Sequence, residues 1–122
     1  KRVRLRLLES MKRTKNCKKI LINLAINYGS KNEIVEAASK IRRNKGSITI
    51  KNFENNLYTK DLPNPDILIR TGGKKRLSNF LLWQLAYSEL YFVDKLWPDF
   101  TTADYNRIIG HFKKVKRNFG NI

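Results

Sequence analysis

A short segment in the second half of the chain brings together residue types that bind anions. An apolar run of strand length ends at Arg70, the turn Gly72-Gly73 follows, and Arg76 and Ser78 come soon after. Backbone N–H groups converge where a strand passes through a glycine turn into a helix, and the helix dipole favours negative charge there. Two arginines can add bidentate hydrogen bonds to phosphate oxygens. The segment therefore predicts a phosphate or diphosphate pocket.

The composition indicates a folded domain with an anionic partner. In 122 residues the formal net charge is +16, while 41% of the residues are hydrophobic and 11% are aromatic. The apolar content is sufficient for a core, which argues against wholesale disorder. The charge is typical of proteins that bind nucleic acid, phosphorylated metabolites or anionic membrane surfaces.

The cysteine and histidine content excludes several kinds of site. Cys17 and His111 are the only residues of their types, so an intrachain disulfide and a Cys/His zinc site are excluded and a Ser-His-Asp triad is disfavoured. A single cysteine favours a reducing compartment. The first residue is Lys1 and the only methionine is Met11. We therefore expect the chain to be a segment of a longer protein.

Hydrophobic periodicity alternates between helical and strand-like segments along the chain. Helical spacing and capping signals predict five helices, at residues 2–13, 30–46, 52–58, 79–85 and 101–120. Short apolar runs predict three buried strands, at residues 20–27, 66–70 and 90–93, and residues 97–100 are expected to form a turn. The alternation indicates an α/β fold with a mostly parallel sheet flanked by helices. Ligands of such sheets bind beyond the carboxyl ends of the strands, where Arg70 lies.

Two helix starts carry capping patterns. Ser30 and Glu33 have the spacing of a capping box, and Thr101 with Asp104 forms a second cap before the last helix. Asn79 is a candidate N-cap of the helix that follows the glycine turn, or a ligand-orienting residue. The inner face of the helix that begins at Ser30 is expected to consist of Ile34, Ala37, Ala38 and Ile41.

Four blocks of the sequence closely resemble the signature of the cis-prenyltransferase family. They are PDILIRTGG (65–73), RLSNFLLWQ (76–84), YSELYF (87–92) and WPDF (97–100), and NLAINYG (23–29) is also similar to a family segment. The resemblance extends over the whole chain, and it implies that residues 1–122 are the carboxy-terminal portion of a single cis-prenyltransferase domain. The activity that it implies is condensation of isopentenyl diphosphate onto an allylic diphosphate such as farnesyl diphosphate, giving a long cis-polyprenyl diphosphate.

The resemblance also implies roles for four residues. In the family, the positions of Arg70, Arg76 and Ser78 hold the diphosphate of isopentenyl diphosphate, and the position of Glu89 is associated with the magnesium site. A carboxylate oxygen is a suitable ligand for this hard cation. The family further implies a homodimer in the cytoplasm, and the basic faces of the chain would suit peripheral contact with an anionic membrane.

The chain departs from the family pattern in three places. The amino-terminal half of the family, with the aspartate loop that binds the allylic diphosphate, has no counterpart here, so no complete active site is expected from this segment. Lys74 stands where the family usually has glutamate, which could tighten anion binding or disturb magnesium placement. Asn118 stands where the family has the arginine of its carboxy-terminal Arg-x-Gly motif, and Arg117 lies one position before it.

Two other interpretations stay open from the sequence. Lys74 and Asn118 are compatible with a non-catalytic prenyltransferase-like subunit or remnant. The charge of +16 is compatible with a basic nucleic-acid-binding module, for which a steep salt dependence of binding would be expected. The aromatic residues lie within apolar segments rather than among the basic ones, which disfavours base stacking.

Overall fold

The computed structural model describes residues 2–117. In chain order the elements are the helices α1 (Arg2–Thr14), α2 (Ser30–Arg43) and α3 (Ile50–Glu54), the strands β1 (Ile67–Arg70) and β2 (Glu89–Phe92), a 3-10 helix (Trp97–Asp99) and the helix α4 (Thr102–Phe112). None of the helices within the described range is long and apolar enough to cross a membrane.

The two strands form a parallel pair, and the α/β prediction is confirmed. Ile67 is opposite Glu89, and Arg70 is opposite Phe92. The connection from β1 to β2 contains the glycine turn and a run of irregular turns. Both strands therefore end on the same edge, so the candidate anion residues after β1 lie near the residues that follow β2.

The prediction of a strand over residues 20–27 is wrong in this structure. The segment has no strand or helix assignment, and its large apolar side chains are exposed at 63–77%. A strand requires a hydrogen-bonded neighbour, and in residues 2–117 the sheet contains only β1 and β2. Its apolar composition is that of a buried strand, but nothing in the described chain covers it.

The buried core is small and includes residues of α2, of α4 and of the turns that follow α3 and precede β2. Its hydrophobic members are Ala37, Ile41, Leu57, Leu85 and Ile108. On α2 the predicted inner face is confirmed for Ala37 and Ile41, whereas Ile34 is half-buried and Ala38 is exposed. Helix α1 has no buried residue.

The predicted capping box at the start of α2 is wrong. The N-cap residue is Gly29, without a side-chain cap, and both Ser30 and Glu33 are fully buried. The Glu33 carboxylate accepts hydrogen bonds from the Tyr28 hydroxyl, from the Tyr58 N–H at 2.8 Å and from the Gln84 amide at 3.2 Å. The Glu33 carboxylate binds these partners rather than the N–H of its N-cap residue, because both oxygens of a buried carboxylate need hydrogen-bond donors.

The helix predicted over residues 79–85 is also absent. The chain forms successive turns there, and Ser78, Asn79 and Leu81 have positive φ angles of 49°, 62° and 45°. A left-handed conformation at three positions cannot be part of a right-handed helix. Local helical periodicity was overridden by the path that this loop must follow.

The last helix begins as predicted and ends earlier. Thr101 and Asp104 form a complete capping box at the start of α4. The helix ends at Phe112, before the predicted end at Gly120. Gly120, Asn118 and Phe119 lie outside the described residues.

Two other predicted elements have counterparts in the structure. The predicted turn at residues 97–100 contains the 3-10 helix. The predicted helix 52–58 corresponds to α3, which spans Ile50–Glu54 and follows the capping residue Thr49.

Candidate anion-binding site

Arg70, Arg76 and Ser78 converge at the carboxyl end of β1. The Arg70 Nη1 atom donates to the Ser78 hydroxyl at 2.9 Å and to the main-chain carbonyl of Arg76. Both bonds use one guanidinium nitrogen, so the Nη2 and Nε donors of Arg70 could bind an anion. The Ser78 hydroxyl accepts from Arg70 and can donate its own hydrogen to a ligand.

These three residues line an open cavity of about 360 Å³. Its other walls are main chain and side chains of Leu68, Ile69, Thr71, Leu77 and Phe80. The turn between Arg70 and Arg76 also carries the exposed residues Lys74 and Lys75 and contains no acidic residue. The cavity is therefore strongly cationic on its polar side, with a volume in the range of small-ligand pockets.

The glycine turn contributes its shape to the site, whereas the N–H groups of its two glycines are already hydrogen-bonded within the protein. The Gly72 N–H donates to the Lys95 carbonyl at 2.8 Å, and the Gly73 N–H donates to the Val93 carbonyl at 3.0 Å. Both glycines have positive φ angles, 87° and 70°, which side chains would strain. The predicted convergence of free amides is wrong for these two residues, and without a helix after the turn no helix dipole faces the cavity. Anion binding here depends on the side chains.

Glu89 does not lie with the arginines. It is the first residue of β2 and is paired with Ile67, whereas Arg70 is the last residue of β1. Three residues of strand separate the two ends, a distance of roughly 10 Å. Within residues 2–117 no group of three or more His, Cys, Asp or Glu side chains could hold a metal ion. Glu89 is half-buried and could supply one carboxylate ligand only.

Lys74 and Arg117, the residues concerned in two of the departures from the family pattern, lie in different parts of the structure. Lys74 is exposed on the turn and follows Gly73 in the sequence. The Asp94 carboxylate lies close to Gly73 in space. Arg117 instead contacts the opposite edge of the sheet, where it donates to Asp66 at 2.5 Å and to the Tyr87 carbonyl at 3.0 Å. Asn118 lies outside the described residues.

Sequence reasoning missed how the loop that carries Ser78 is held. Asn79 does not cap a helix of its own. Its main-chain carbonyl accepts from Ser30 N–H, and its side-chain oxygen accepts from Lys31 N–H, both at 2.8 Å. Only the presence of asparagine, which adopts left-handed backbone more readily than most residues, could have signalled an unusual conformation. Its partners are 48 and 49 residues away in the sequence.

The start of α2 also carries a perturbed tyrosine. Desolvation, with the hydrogen bond to Glu33, raises the pKa of Tyr28 to about 12. Tyr28 therefore stays protonated near neutral pH and donates to the buried Glu33 carboxylate. This bond joins the residue before Gly29 to the first turn of α2.

Comparison with known proteins agrees with this architecture. The prenyltransferase family model for undecaprenyl diphosphate synthase matches residues 1–120. An isoprenyl transferase of Fusobacterium nucleatum is 49% identical over 110 residues, which cover 89% of this chain and 47% of the relative. One from Thermotoga maritima is 45% identical over 119 residues, covering 93% of this chain and 51% of the relative.

A solved structure shares the fold as well as the sequence. The crystal structure of a probable undecaprenyl diphosphate synthase from Campylobacter jejuni superposes with a TM-score of 0.84 at 40% identity, covering 98% of this chain and 57% of that one. The chain belongs to the undecaprenyl diphosphate synthase family of prenyltransferases. It spans about half the length of the curated relatives that it matches.

Proposed function

We propose that this chain provides the isopentenyl diphosphate pocket of a cis-prenyltransferase. The observation that carries the proposal is the convergence of Arg70, Arg76 and Ser78 on one cavity, with Arg70 already oriented by Ser78 at 2.9 Å. An oriented guanidinium loses little conformational freedom when it binds, and its planar fork matches two phosphate oxygens. The cavity therefore suits a diphosphate better than an uncharged ligand.

In the proposed reaction the whole protein condenses isopentenyl diphosphate onto an allylic diphosphate such as farnesyl diphosphate. Each condensation forms one carbon–carbon bond, breaks the bond from the allylic carbon to its diphosphate, which is released, and removes one proton from the isopentenyl unit to leave the cis double bond. Repeated condensations give a long cis-polyprenyl diphosphate. The part of the reaction assigned to these residues is binding and orientation: Arg70 and Arg76 hold the diphosphate of the nucleophilic substrate, and Ser78 donates to one of its oxygens. The family match and the names of relatives support the activity. The roles of the individual residues rest on the resemblance and on the position of the three residues around one cavity.

Magnesium is the metal we propose for the whole protein, and this chain supplies only part of its site. The family is generally metal-dependent, and Glu89 is the carboxylate we assign as one ligand. The donor set in residues 2–117 does not by itself fit the ion, because no group of three or more His, Cys, Asp or Glu side chains there could hold a metal and Glu89 alone cannot fill its coordination shell. The remaining ligands would come from substrate or from outside the described residues, so no step of the reaction is derived through the metal.

The remaining family expectations are proposals about the whole protein. Residues 1–122 would be the carboxy-terminal portion of a single domain. The exposed apolar segment 20–26 and the half-length coverage of relatives favour a portion of a domain, and its carboxy-terminal position is expected from the resemblance. A homodimer in the cytoplasm is expected from the resemblance. Peripheral contact with an anionic membrane would be supported by the charge of +16.

Replacement of Arg70 by alanine tests the pocket. The full native protein with Arg70→Ala should bind isopentenyl diphosphate about 10- to 100-fold more weakly, since hydrogen bonds to a charged group contribute about 1.5–3 kcal/mol. Isothermal titration calorimetry measures the dissociation constant, and circular dichroism checks folding. Arg6→Ala is the matched control, because Arg6 is exposed on α1 and pairs with Glu9, also exposed, across 3.4 Å.

The same variants separate the rival functions. Unchanged affinity in a folded Arg70→Ala protein would reject the pocket. A non-catalytic subunit would keep binding but show no turnover with farnesyl diphosphate. A nucleic-acid-binding module would bind single-stranded DNA at physiological salt with a steep salt slope, and Arg70→Ala would change that binding no more than Arg6→Ala does.

A further inference from the structure

The amino-terminal end of α2 is docked on the loop that carries Ser78. Three hydrogen bonds join them: Ser30 N–H and Lys31 N–H donate to Asn79, and Leu82 N–H donates to the Ser30 hydroxyl at 2.9 Å. Ser30 is fully buried in this contact. The first turn of α2 thus supports the loop that carries Ser78, one of the residues that line the anion cavity, although α2 is far from that loop in sequence.

Asn79 acts as the N-cap that α2 lacks in its own sequence. The first N–H groups of a helix have no partner within the helix and are normally satisfied by a capping side chain. Gly29, the N-cap residue, has no side chain and makes no side-chain cap. Asn79 supplies two acceptors instead. A Cβ atom at Gly29 would lie 2.8 Å from the Asn79 amide nitrogen, so glycine also gives the loop room to approach.

The backbone conformation of the loop that carries Ser78 is energetically unfavourable unless other parts of the protein hold it in place. Ser78, Asn79 and Leu81 all have positive φ angles. Each non-glycine residue in this region costs about 1–2 kcal/mol, and such conformations persist only where surrounding contacts hold them. The bonds to α2 are those contacts, and Ser78 is the residue whose hydroxyl accepts from Arg70.

We propose that Asn79 and Ser30 are positioning residues for the anion cavity. Their hydrogen bonds attach the loop to the start of α2, and this attachment holds the Ser78 hydroxyl and the Arg76 carbonyl in the positions where they accept from Arg70. This inference rests on the proposed function, since it concerns the same pocket. Neither residue contacts the ligand in this assignment. Their effect on binding is transmitted through Ser78 and Arg70.

Asn79→Gly in the full native protein tests the inference. Glycine tolerates the positive φ, so the substitution removes the side-chain acceptor without adding backbone strain. We expect about five- to tenfold weaker binding of isopentenyl diphosphate at a temperature where the variant is folded, in line with the loss of a helix cap. Asn56→Gly is the control, because Asn56 makes a comparable side-chain bond to the Asn52 carbonyl beside α3.

A double-mutant cycle separates positioning from general stabilisation. If Asn79 acts through Ser78, then Asn79→Gly should weaken binding far less in a Ser78→Ala protein than in the native one, whereas equal effects in both would overturn the inference. Ser30→Ala, which removes the acceptor for Leu82 N–H, should show the same coupling and replaces Asn79→Gly if that variant does not fold.

Failure of this inference is distinguishable from failure of the proposed function. If Arg70→Ala weakens binding but Asn79→Gly and Ser30→Ala bind isopentenyl diphosphate like the native protein, the positioning role is rejected and the pocket stands. If Arg70→Ala has no effect, the pocket itself is rejected, and the positioning role with it.

Discussion

Arg70 illustrates how a single side chain is prepared for an anion. Its Nη1 atom is bonded to Ser78 and to the Arg76 carbonyl, so the direction of the guanidinium plane is set before any ligand arrives. Lysine would be a poorer substitute, because its single ammonium nitrogen would have to bind Ser78, the Arg76 carbonyl and the anion at once and has no planar pair of donors for two phosphate oxygens. The glycines of the turn are required for their positive φ angles, while their amides are used to anchor the turn to residues 93–95.

Lys74 adds a positive charge to the same turn. The residue is exposed and lies between the glycine turn and Arg76. An exposed lysine adds a screened attraction for anions and cannot provide a metal ligand. The effect of the family's glutamate at this position is therefore expected on metal binding more than on the shape of the pocket.

Glu89 is the residue whose replacement tests the metal proposal. In the full native protein, Glu89→Gln should raise the Mg²⁺ concentration needed for half-maximal prenyl transfer by about tenfold or more, because a carboxylate ligand of a hard cation is lost. Binding of inorganic pyrophosphate without metal should not change, since Glu89 lies at the other end of the strand from Arg70. Glu9→Gln on α1 is the control. An identical magnesium requirement in both variants would remove Glu89 from the metal site.

At the scale of elements, the start of α4 is stabilised both by a local capping box and by a contact with a residue outside the helix. Asp104 closes the capping box with Thr101, accepts from Lys95 at 2.7 Å and pairs with Arg107 at 3.0 Å. Its side chain is only 6% exposed. The hydrogen bond from Lys95, followed by those from Thr101, holds the pKa of this carboxyl well below its usual range.

The lowered pKa predicts how α4 responds to acid. Above the unfolded-state pKa of about 4 the ionised Asp104 contributes its full share of stability, and this share is lost as the pH falls through the lower folded-state pKa. The difference in unfolding free energy between the native chain and Asp104→Asn should therefore be largest near pH 7 and shrink progressively below about pH 4. Urea titrations followed by circular dichroism measure it. Asp61→Asn, an exposed aspartate in a turn, should show a much smaller difference, and a constant gap for Asp104→Asn from pH 7 to pH 2 would contradict the assignment.

At the scale of the whole molecule, the net charge and the exposed apolar side chains have opposite effects on self-association. The net charge of +16 keeps copies of the chain apart at low ionic strength. The segment of residues 20–26 presents five large apolar side chains without cover from residues 2–117. Exposed apolar segments of strand length are sites of association, which charge repulsion suppresses only while it is unscreened.

Self-association of the 122-residue chain should consequently increase with salt. We expect light scattering to detect little association at low salt and clear association near 0.5 M, where the Debye length falls to about 4 Å. Ile22→Lys should suppress it, because it places a charge in the centre of the exposed segment. Asn32→Lys adds the same charge at an exposed polar position on α2 and should leave the salt effect largely intact. Equal suppression by both variants would show that net charge alone governs association.

Several features of the fold and site could be derived from sequence because their signals are local. The apolar run ending at Arg70 predicts β1, the Thr101–Asp104 spacing predicts the cap of α4, and the glycine pair predicts the turn. Each depends on residues within about four positions of one another, where backbone geometry alone sets which groups can meet. The motif blocks likewise indicate the family.

The tertiary structure decided everything that depends on partners distant in sequence. Glu33 and Ser30 have a local capping pattern, yet burial turns the first toward Tyr58 and Gln84 and the second toward Leu82. Asn79 caps a helix 48 residues earlier instead of its own. Glu89 lies at the opposite end of the sheet from Arg70 because the register pairs it with Ile67. Sequence by itself determined β1, the cap of α4, the glycine turn and the residue types of the site. Packing determined which of those residues meet, since buried polar groups take whichever partner the fold brings within hydrogen-bond distance.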